Sequence, residues 1–319
     1  MAAASESSPR LVVFGEFYLD QIFYDLPDLP RLGEEVKTQR YAELPGGGLA
    51  TTALVAAQLG TPTAALTRVG QDALLSPAWQ KLADSKVNVA GCDFSTVYPT
   101  ARTVCAAYRG DRMMITHDAI NKRLEKLLDT AAAARVLGSA RHIHLACALW
   151  PARPWLSAIR RLRAKGITIS ADFGWNPAMF RSTDLPRLLG ELDLVFPNKL
   201  EALALTSEPD IKGALKKLAK WAQVPVIKLG ARGSIAVQNG KMFRAASIGV
   251  HSVDATGAGD AFNGGFLHGH LSGWPLAECL RAGNVCGALA TTGAGGSSVL
   301  LTARRLRQLM GKTKSTAGR

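Results

Sequence analysis

Apolar runs of strand length recur along this chain with amphipathic helical stretches between them, and that alternation limits the folds open to it. "LVVFG" at 11–15 is a short strand of the buried type, and "LATTALVAAQLG" at 49–60 is an apolar helix closed by Gly60 at its C′ position. "TAALTRVG" at 63–70 reads as the next strand, with a helix around 73–84 after it. "RHIHLAC", "ITISADF" and "DLVFPN" each follow a helical segment, which is the β-α-β rhythm of a parallel sheet covered on both faces. "PVIKLGARGSIAVQNGKMFRAAS" breaks that rhythm, because "GARG" and "NG" are turn signals that predict strands joined by hairpins. Two closely packed helices, rich in Ala, Gly and Leu, are expected over 262–273 and 276–292.

Two regions fit the rhythm poorly. Prolines in "DLPDLPRLGEEVKTQRYAEL", within 16–45, forbid a long helix and favour short extended pieces. Residues 98–118, "YPTARTVCAAYRGDRMMITHD", have strand composition around a Gly-Asp turn. Two such groups inserted in an α/β domain predict a small separate sheet, a lid over a site.

The length of 319 residues suits one large α/β domain or two smaller ones. An apolar fraction of 47% excludes a disordered chain, and no window is apolar for long enough to span a bilayer. "MAAASESSPR" has neither the cationic flank nor the apolar stretch of a signal peptide, so residues 1–10 read as a disordered leader and the cytoplasm as the compartment. The five cysteines form no C-x-x-C pair and sit among apolar neighbours, as buried free thiols do in a reducing compartment. Of the net charge of +13, six positive charges lie in "RRLRQLMGKTKSTAGR" at 304–319, which reads as a solvated basic tail. The remaining charge is scattered with no aromatic interleaving, so a nucleic-acid partner is not expected. "GKT" in that tail resembles a nucleotide phosphate loop, but Leu306 stands where the loop needs glycine.

The stretch with the clearest chemistry is "HSVDATGAGDAFNGG", residues 251–265. A helix starting near Gly257 points the amides of Gly257, Ala258 and Gly259 at one spot, and such an N-terminus attracts anions. Asp260 then sits in the first turn beside that spot, either as a helix-stabilising acid or as a base next to an anion cradle.

"DATGAGDAFNGGFLHG" resembles the C-terminal signature of the ribokinase-like (PfkB) family of sugar and nucleoside kinases. "GEFYLDQ" resembles the family's first strand, "PGGGLATTA" its substrate-side glycine pair, "PNKLEA" its Asn-x-x-Glu motif and "LGARGS" its nucleotide-side turn. "AGNVCGALATTGAGG" resembles the helix and loop of the adenine pocket. The likeness runs from about residue 11 to about 300. It implies a three-layer α/β/α domain over 11–303 with a mainly parallel central sheet and a small inserted β-sheet lid.

The same resemblance implies ATP-dependent transfer of the γ-phosphoryl group to a hydroxyl, a primary one on a sugar or sugar-like compound. Such transfer calls for positioning, charge stabilisation and a nearby base. Asp260 becomes the general base and the Gly257–Gly259 amides the anion hole. Asp20, Gly46, Gly47, Gly48 and Thr51 fall on the substrate side, and Asn198, Glu201, Lys228, Gly230, Gly233 and Asn284 on the nucleotide side. Glu201 is expected to hold Mg²⁺ through water, although Asn-x-x-Glu is also a capping-box pattern with Asn at the cap. Asp254 and Thr256 fall where many members build a K⁺ site, with the loop 291–298 supplying carbonyls, but the pair also suits a plain side-chain turn. A homodimer through the lid is one assembly the family allows, and a lid acting alone is the other.

Several positions depart from the family pattern. Thr51 stands where an Asn normally contacts sugar hydroxyls, and it offers a hydroxyl in place of an amide. "ADFGWNPAMF" keeps an Asp and an Asn-Pro without the Asp-x-Asn-x-Arg arrangement of hexose kinases. Lys228 replaces a small hydroxyl residue and either reaches a phosphate or lies at an exposed strand edge. Arg102, on the lid, either binds an acidic substrate or faces water. His142 and His144 share a strand face, yet no neighbouring ligand completes a metal set, so a packed or edge pair is expected. A nucleoside is the runner-up substrate, given Phe17, Tyr18, Phe23 and Tyr24. A ligand-binding sensor is the alternative outside enzymes, and the intact Asp260 signature speaks against it. A nicotinamide enzyme lacks its G-x-G-x-x-G after the first strand.

Overall fold

In the computed structural model, residues 10–108, 111–293, 301–311 and 315–317 are described. The first strands in chain order are β1 (Leu11–Gly15), β2 (Tyr18–Tyr24), β3 (Arg40–Gly46), β4 (Thr63–Leu66) and β5 (Arg68–Gly70). They are followed by β6 (Val87–Asn88), β7 (Asp93–Ser95), β8 (Arg102–Tyr108), β9 (Asp111–His117) and β10 (His142–Ala146). The last six are β11 (Thr168–Asp172), β12 (Leu194–Val195), β13 (Val224–Lys228), β14 (Ser234–Gln238), β15 (Lys241–Ala245) and β16 (Ser315–Ala317).

The central sheet runs β16-β15-β14-β13-β12-β11-β10-β1-β4-β6. Its body from β13 to β6 is parallel, as the β-α-β rhythm predicts, and the hairpins 224–245 add an antiparallel edge. Alternate residues of the central strands feed two different cores. Val12, Phe14, Ile143, Leu145 and Ile169 join one, which the helix Ala152–Ala164 covers with Trp155, Leu156 and Ile159. Leu11, Val13 and Ala65 join the other, under the helices Gly47–Gln58 and Ala258–Leu271. Period-two side chains with both faces apolar thus give three layers, α/β/α.

A second sheet of order β3-β2-β8-β9 comes from the two irregular regions. β2 pairs antiparallel with β3 and parallel with β8, and β8 pairs antiparallel with β9. β1 leads into β2 after two residues and β3 leads straight into the helix Gly47–Gln58, so this sheet is tied to the strand ends where the central sheet opens. "TAALTRVG" is not one strand: β4 stays in the central sheet while β5 pairs with β7 in a small separate pair.

The stretch at 304–319, expected as a solvated tail, folds in part. Residues Ala303–Met310 form a helix capped by Thr302, whose side chain accepts from the amide of Arg305, with Leu306, Leu309 and Met310 buried. Its arginines occupy the outer face of an amphipathic helix, which explains the run of charge. Among the described residues no helix is long and apolar enough to cross a membrane.

Candidate active site

The helix Ala258–Leu271 begins at Gly257, whose φ of 72° lies in the left-handed region where a side chain is strained. The first-turn amides have no partner within the helix, and the Ala258 N–H donates instead to the Ala255 carbonyl at 3.3 Å. Asp260 Oδ1 lies 2.9 Å from where a Cβ on Gly48 would be, so Gly48 is what lets the carboxylate approach the helix Gly47–Gln58. Thr52 of that helix donates to the Asp260 carbonyl at 3.1 Å and joins the two elements. Burial, then the negative charge of Asp172, pushes the Asp260 carboxyl up to about 7, against the pull of Lys228.

Asp172 and Lys228 are the last residues of β11 and β13, at the carboxyl edge where open α/β sheets bind ligands. The Lys228 ammonium is ion-paired with Asp172 Oδ2, and the two side chains are only 11% and 10% exposed. Asn263, fully buried one turn along from Asp260, donates Nδ2 to the same oxygen at 2.6 Å. Lys228 Nζ also lies 3.1 Å from the Cβ position on Gly259, which sets it against the amide cradle. Burial disfavours its charge, but Asp172, Glu201 and Asp260 outweigh that and raise its pKa above the ordinary lysine value. Lys228 is therefore neither at an exposed edge nor an ordinary strand lysine.

Three carboxylates around one ammonium leave local negative charge that a divalent cation would balance. Among the described residues, no three His, Cys, Asp or Glu side chains converge on one point to hold a bare ion. That donor set fits Mg²⁺ bound through waters and phosphate oxygens, with Asp172, Glu201 and Asp260 the carboxylates that would face it. Glu201 is buried at the third position of the helix Lys199–Thr206. Its Oε2 accepts from the Asn198 amide at 2.7 Å, while Asn198 Oδ1 accepts from the Glu201 amide at 3.0 Å. The capping box is thus formed, and burial, then Asp172, raises the Glu201 pKa.

A cavity of about 960 Å³ opens between the small sheet and the loop before Gly257. Tyr18, Asp20, Tyr24, Tyr108, Met114 and Asp254 are among the residues that line it. The carboxyl group of Asp20 lies 2.2–2.4 Å from the Cβ position on Gly46, so any side chain at 46 would displace it. Gly47 lines the cavity, while Thr51 is buried inside the helix Gly47–Gln58 and does not. Asp254 Oδ1 accepts from both the amide (2.8 Å) and the hydroxyl (2.6 Å) of Thr256, a side-chain turn at the cavity rim. Of the loop 291–298, residues 294–298 lie outside the described residues.

Gly230 opens the short 3-10 turn Gly230–Arg232, and Gly233 at φ 85° closes it, with the Ala245 carbonyl 2.0 Å from its Cβ position. Asn284, buried on the helix Leu276–Ala290, donates Nδ2 to the carbonyls of Ala245 (2.9 Å) and Ala246 (3.3 Å). Its amide therefore braces that turn region from behind. Arg102 is paired with Asp72 at 2.5 Å and is not among the cavity-lining residues. Asp172 and Asn263 are the two members of the cluster that sequence reasoning did not assign. "ADFGWNPAMF" marked the Asp, but its partner Lys228 is 56 residues away and on a different strand.

The fold and the carboxyl-edge cluster define an α/β phosphotransferase of the ribokinase type. The chain belongs to the pfkB family of carbohydrate kinases, whose pattern it matches over residues 8–303. It is 28% identical to a cytidine kinase from Thermococcus kodakarensis over 285 residues, 86% of this chain and 92% of that one. In fold it resembles Arabidopsis thaliana ribokinase complexed with ribose and ATP (TM-score 0.83, 23% identity, 95% of this chain and 99% of that one). It also resembles a putative ribokinase II from E. coli in complex with ATP and Mg²⁺ (TM-score 0.80, 21% identity, 95% and 99%).

Proposed function

We propose that this kinase transfers the γ-phosphoryl group of ATP to a primary hydroxyl of a sugar or sugar-like acceptor, with Asp260 as general base. The observation that carries the reading is the Asp260 carboxyl, pushed up to about 7 beside a helix start and a buried ammonium. A base with its pKa near the working pH takes a hydroxyl proton efficiently. The Gly257–Gly259 amides and Lys228 then face the charge on the transferring phosphoryl oxygens. Glu201 holds the water shell of Mg²⁺, with Asn198 fixing its helix, and the turn from Gly230 to Gly233, braced by Asn284, borders the nucleotide. Asp20, in the space left by Gly46 and next to Gly47, receives acceptor hydroxyls.

A second reading, a nucleoside acceptor, is favoured by one feature. Tyr18, Tyr24 and Tyr108 with Met114 give the cavity flat and soft apolar walls that suit a heteroaromatic base. The cytidine kinase likeness is in keeping with it. We hold potassium at Asp254 and Thr256, a dimer through the small sheet and a cytoplasmic setting as parts of the same proposal. Val104, Met113 and Ile115 are exposed apolar residues on that sheet, and the five described cysteines are all buried.

A coupled ADP-release screen over sugars and nucleosides, with Asp260→Asn as the blank, tests the proposal. Acceptor-dependent ADP release above the blank is expected. Failure of every acceptor to exceed the blank would turn the reading toward a ligand-binding sensor.

A further inference from the structure

A polar row, buried apart from its exposed end at Thr168, runs beneath the helix Ala258–Leu271, away from the reacting groups, and the reaction as proposed makes no use of it. His142, His144, Thr168 and Ser170 form it on adjacent strands β10 and β11. His142 Nδ1 is 2.8 Å from Thr168 Oγ1, His142 Nε2 is 2.7 Å from Ser170 Oγ, and His144 Nδ1 is 2.8 Å from the same oxygen.

The protons in this row can be assigned one by one. Thr168 donates its only hydroxyl proton to the Arg141 carbonyl at 3.0 Å, so it accepts from His142 Nδ1–H. His142 is fully buried and burial holds its pKa well below the ordinary value, so the ring is neutral and Nε2 carries no proton. Ser170 therefore donates to His142 Nε2 and accepts from His144 Nδ1–H. His144 is neutral as well, its pKa pushed down to about 4 by burial, which leaves its Nε2 a bare acceptor. That nitrogen is buried and has no donor among the described residues.

A second orphan has the same polarity. Asn263 must turn Nδ2 toward the Asp172 carboxylate, so its Oδ1 is an acceptor, also buried without a donor. The two groups face each other across the sheet–helix interface, His144 from β10 and Asn263 from the helix that covers it. His144 pairs with Ser170 in the strand register and Ala146 with Asp172, so His144 and Asp172 project from the same side, one step apart. The overlying helix crosses them in order. His270 meets His142 edge-on at 5.7 Å between ring centroids and Phe266 meets Phe196 at 5.0 Å, while Phe196 lies 5.8 Å from His144. Asn263, one turn nearer the helix start, reaches Asp172.

Two buried acceptors without donors, one on the sheet and one on the helix over it, can be satisfied together by a single group that donates twice, and water is the smallest one. We infer that a buried water donates to His144 Nε2 and Asn263 Oδ1, and that His144 and Asn263 are positioning residues that hold the Asp172–Lys228 pair against the phosphoryl-transfer site. This rests on the kinase reading above for its kinetic consequence, though not for its proton assignment. Asn263, anchored at both ends, orients Asp172, and Asp172 aims the Lys228 ammonium at the cradle.

The test compares variants by kcat, acceptor KM and melting temperature. Asn263→Leu and His144→Leu are expected to lower kcat about tenfold with acceptor KM unchanged, since the reacting groups drift but the cavity does not. His144→Gln places a carboxamide oxygen where Nε2 was and is expected to recover most of the loss. His144→Asn keeps only the donor to Ser170 and is expected to behave like His144→Leu. If Asn restored turnover and Gln did not, the Ser170 link alone would matter and the inference would fall. The unmodified protein supplies an independent check by histidine ring-nitrogen NMR, where His144 is expected as the Nδ1–H tautomer; the Nε2–H tautomer would overturn the assignment. Asp260→Asn separates the two claims: turnover retained in that variant sinks the kinase mechanism, whereas its loss alongside unaffected Asn263 and His144 variants sinks only the positioning row.

Discussion

The carboxylate of Asp260 stands 2.9 Å from the point where a β-carbon on Gly48 would lie, and the Ala146 β-carbon closes the other side at 3.2 Å. Two helices far apart in sequence thus meet at one glycine. Gly48→Ala should force the carboxylate off its position while leaving the cavity wall in place. The expected outcome is a fall in kcat of about a hundredfold, with acceptor KM little changed, measured by steady-state kinetics.

The raised carboxyl of Asp260 sets two pH dependences. As a base it works when deprotonated, so kcat/KM of the free enzyme should fall as pH drops below about 7. Its effect on stability has the opposite sense. A carboxyl that binds its proton more tightly when folded contributes most below its ordinary 3.8, and that contribution is lost as pH rises through about 7. Asp260→Asn should therefore flatten the loss of stability between these limits, as read from urea unfolding across pH.

Removing the ammonium from the buried Asp172–Lys228 pair should be costly, because it leaves a carboxylate without its partner. Lys228→Met is expected to destabilise the fold by about 3–5 kcal/mol. Adding Asp172→Asn should recover part of that, and chemical denaturation of the two single variants and the double variant gives the coupling directly.

Glu201 carries two duties that substitution can separate. Gln retains a side-chain oxygen for the Asn198 amide, so Glu201→Gln should melt near the parent temperature. Without the charge it should need about tenfold more Mg²⁺ for half-maximal rate. Asn198→Ala should show the reverse emphasis, losing about 1 kcal/mol of stability with the cap.

The layers were legible because strand and helix periods differ, and the α/β/α sandwich follows from residues such as Val12 and Val13 facing opposite cores. The glycine signature also announced its own helix start. What local pattern does not encode is pairing across the sheet. Lys228 reads as a polar strand end, and only the arrival of Asp172 from β11 makes it a buried cation. Arg102 reads as a lid arginine that either binds an acidic substrate or faces water until Asp72 pairs with it. Likewise, the charge of 304–319 hides the buried side of a helix, since Leu306, Leu309 and Met310 are spaced for one face.

The most direct measurement is single-turnover phosphoryl transfer by Asp260→Asn, made with an acceptor that the unmodified protein phosphorylates and with ATP and acceptor binding followed by calorimetry. The account predicts binding close to that of the parent and a rate lower by about 10²–10⁴-fold, the usual worth of a general base. A variant that binds both ligands and transfers phosphate at the parent rate would contradict it.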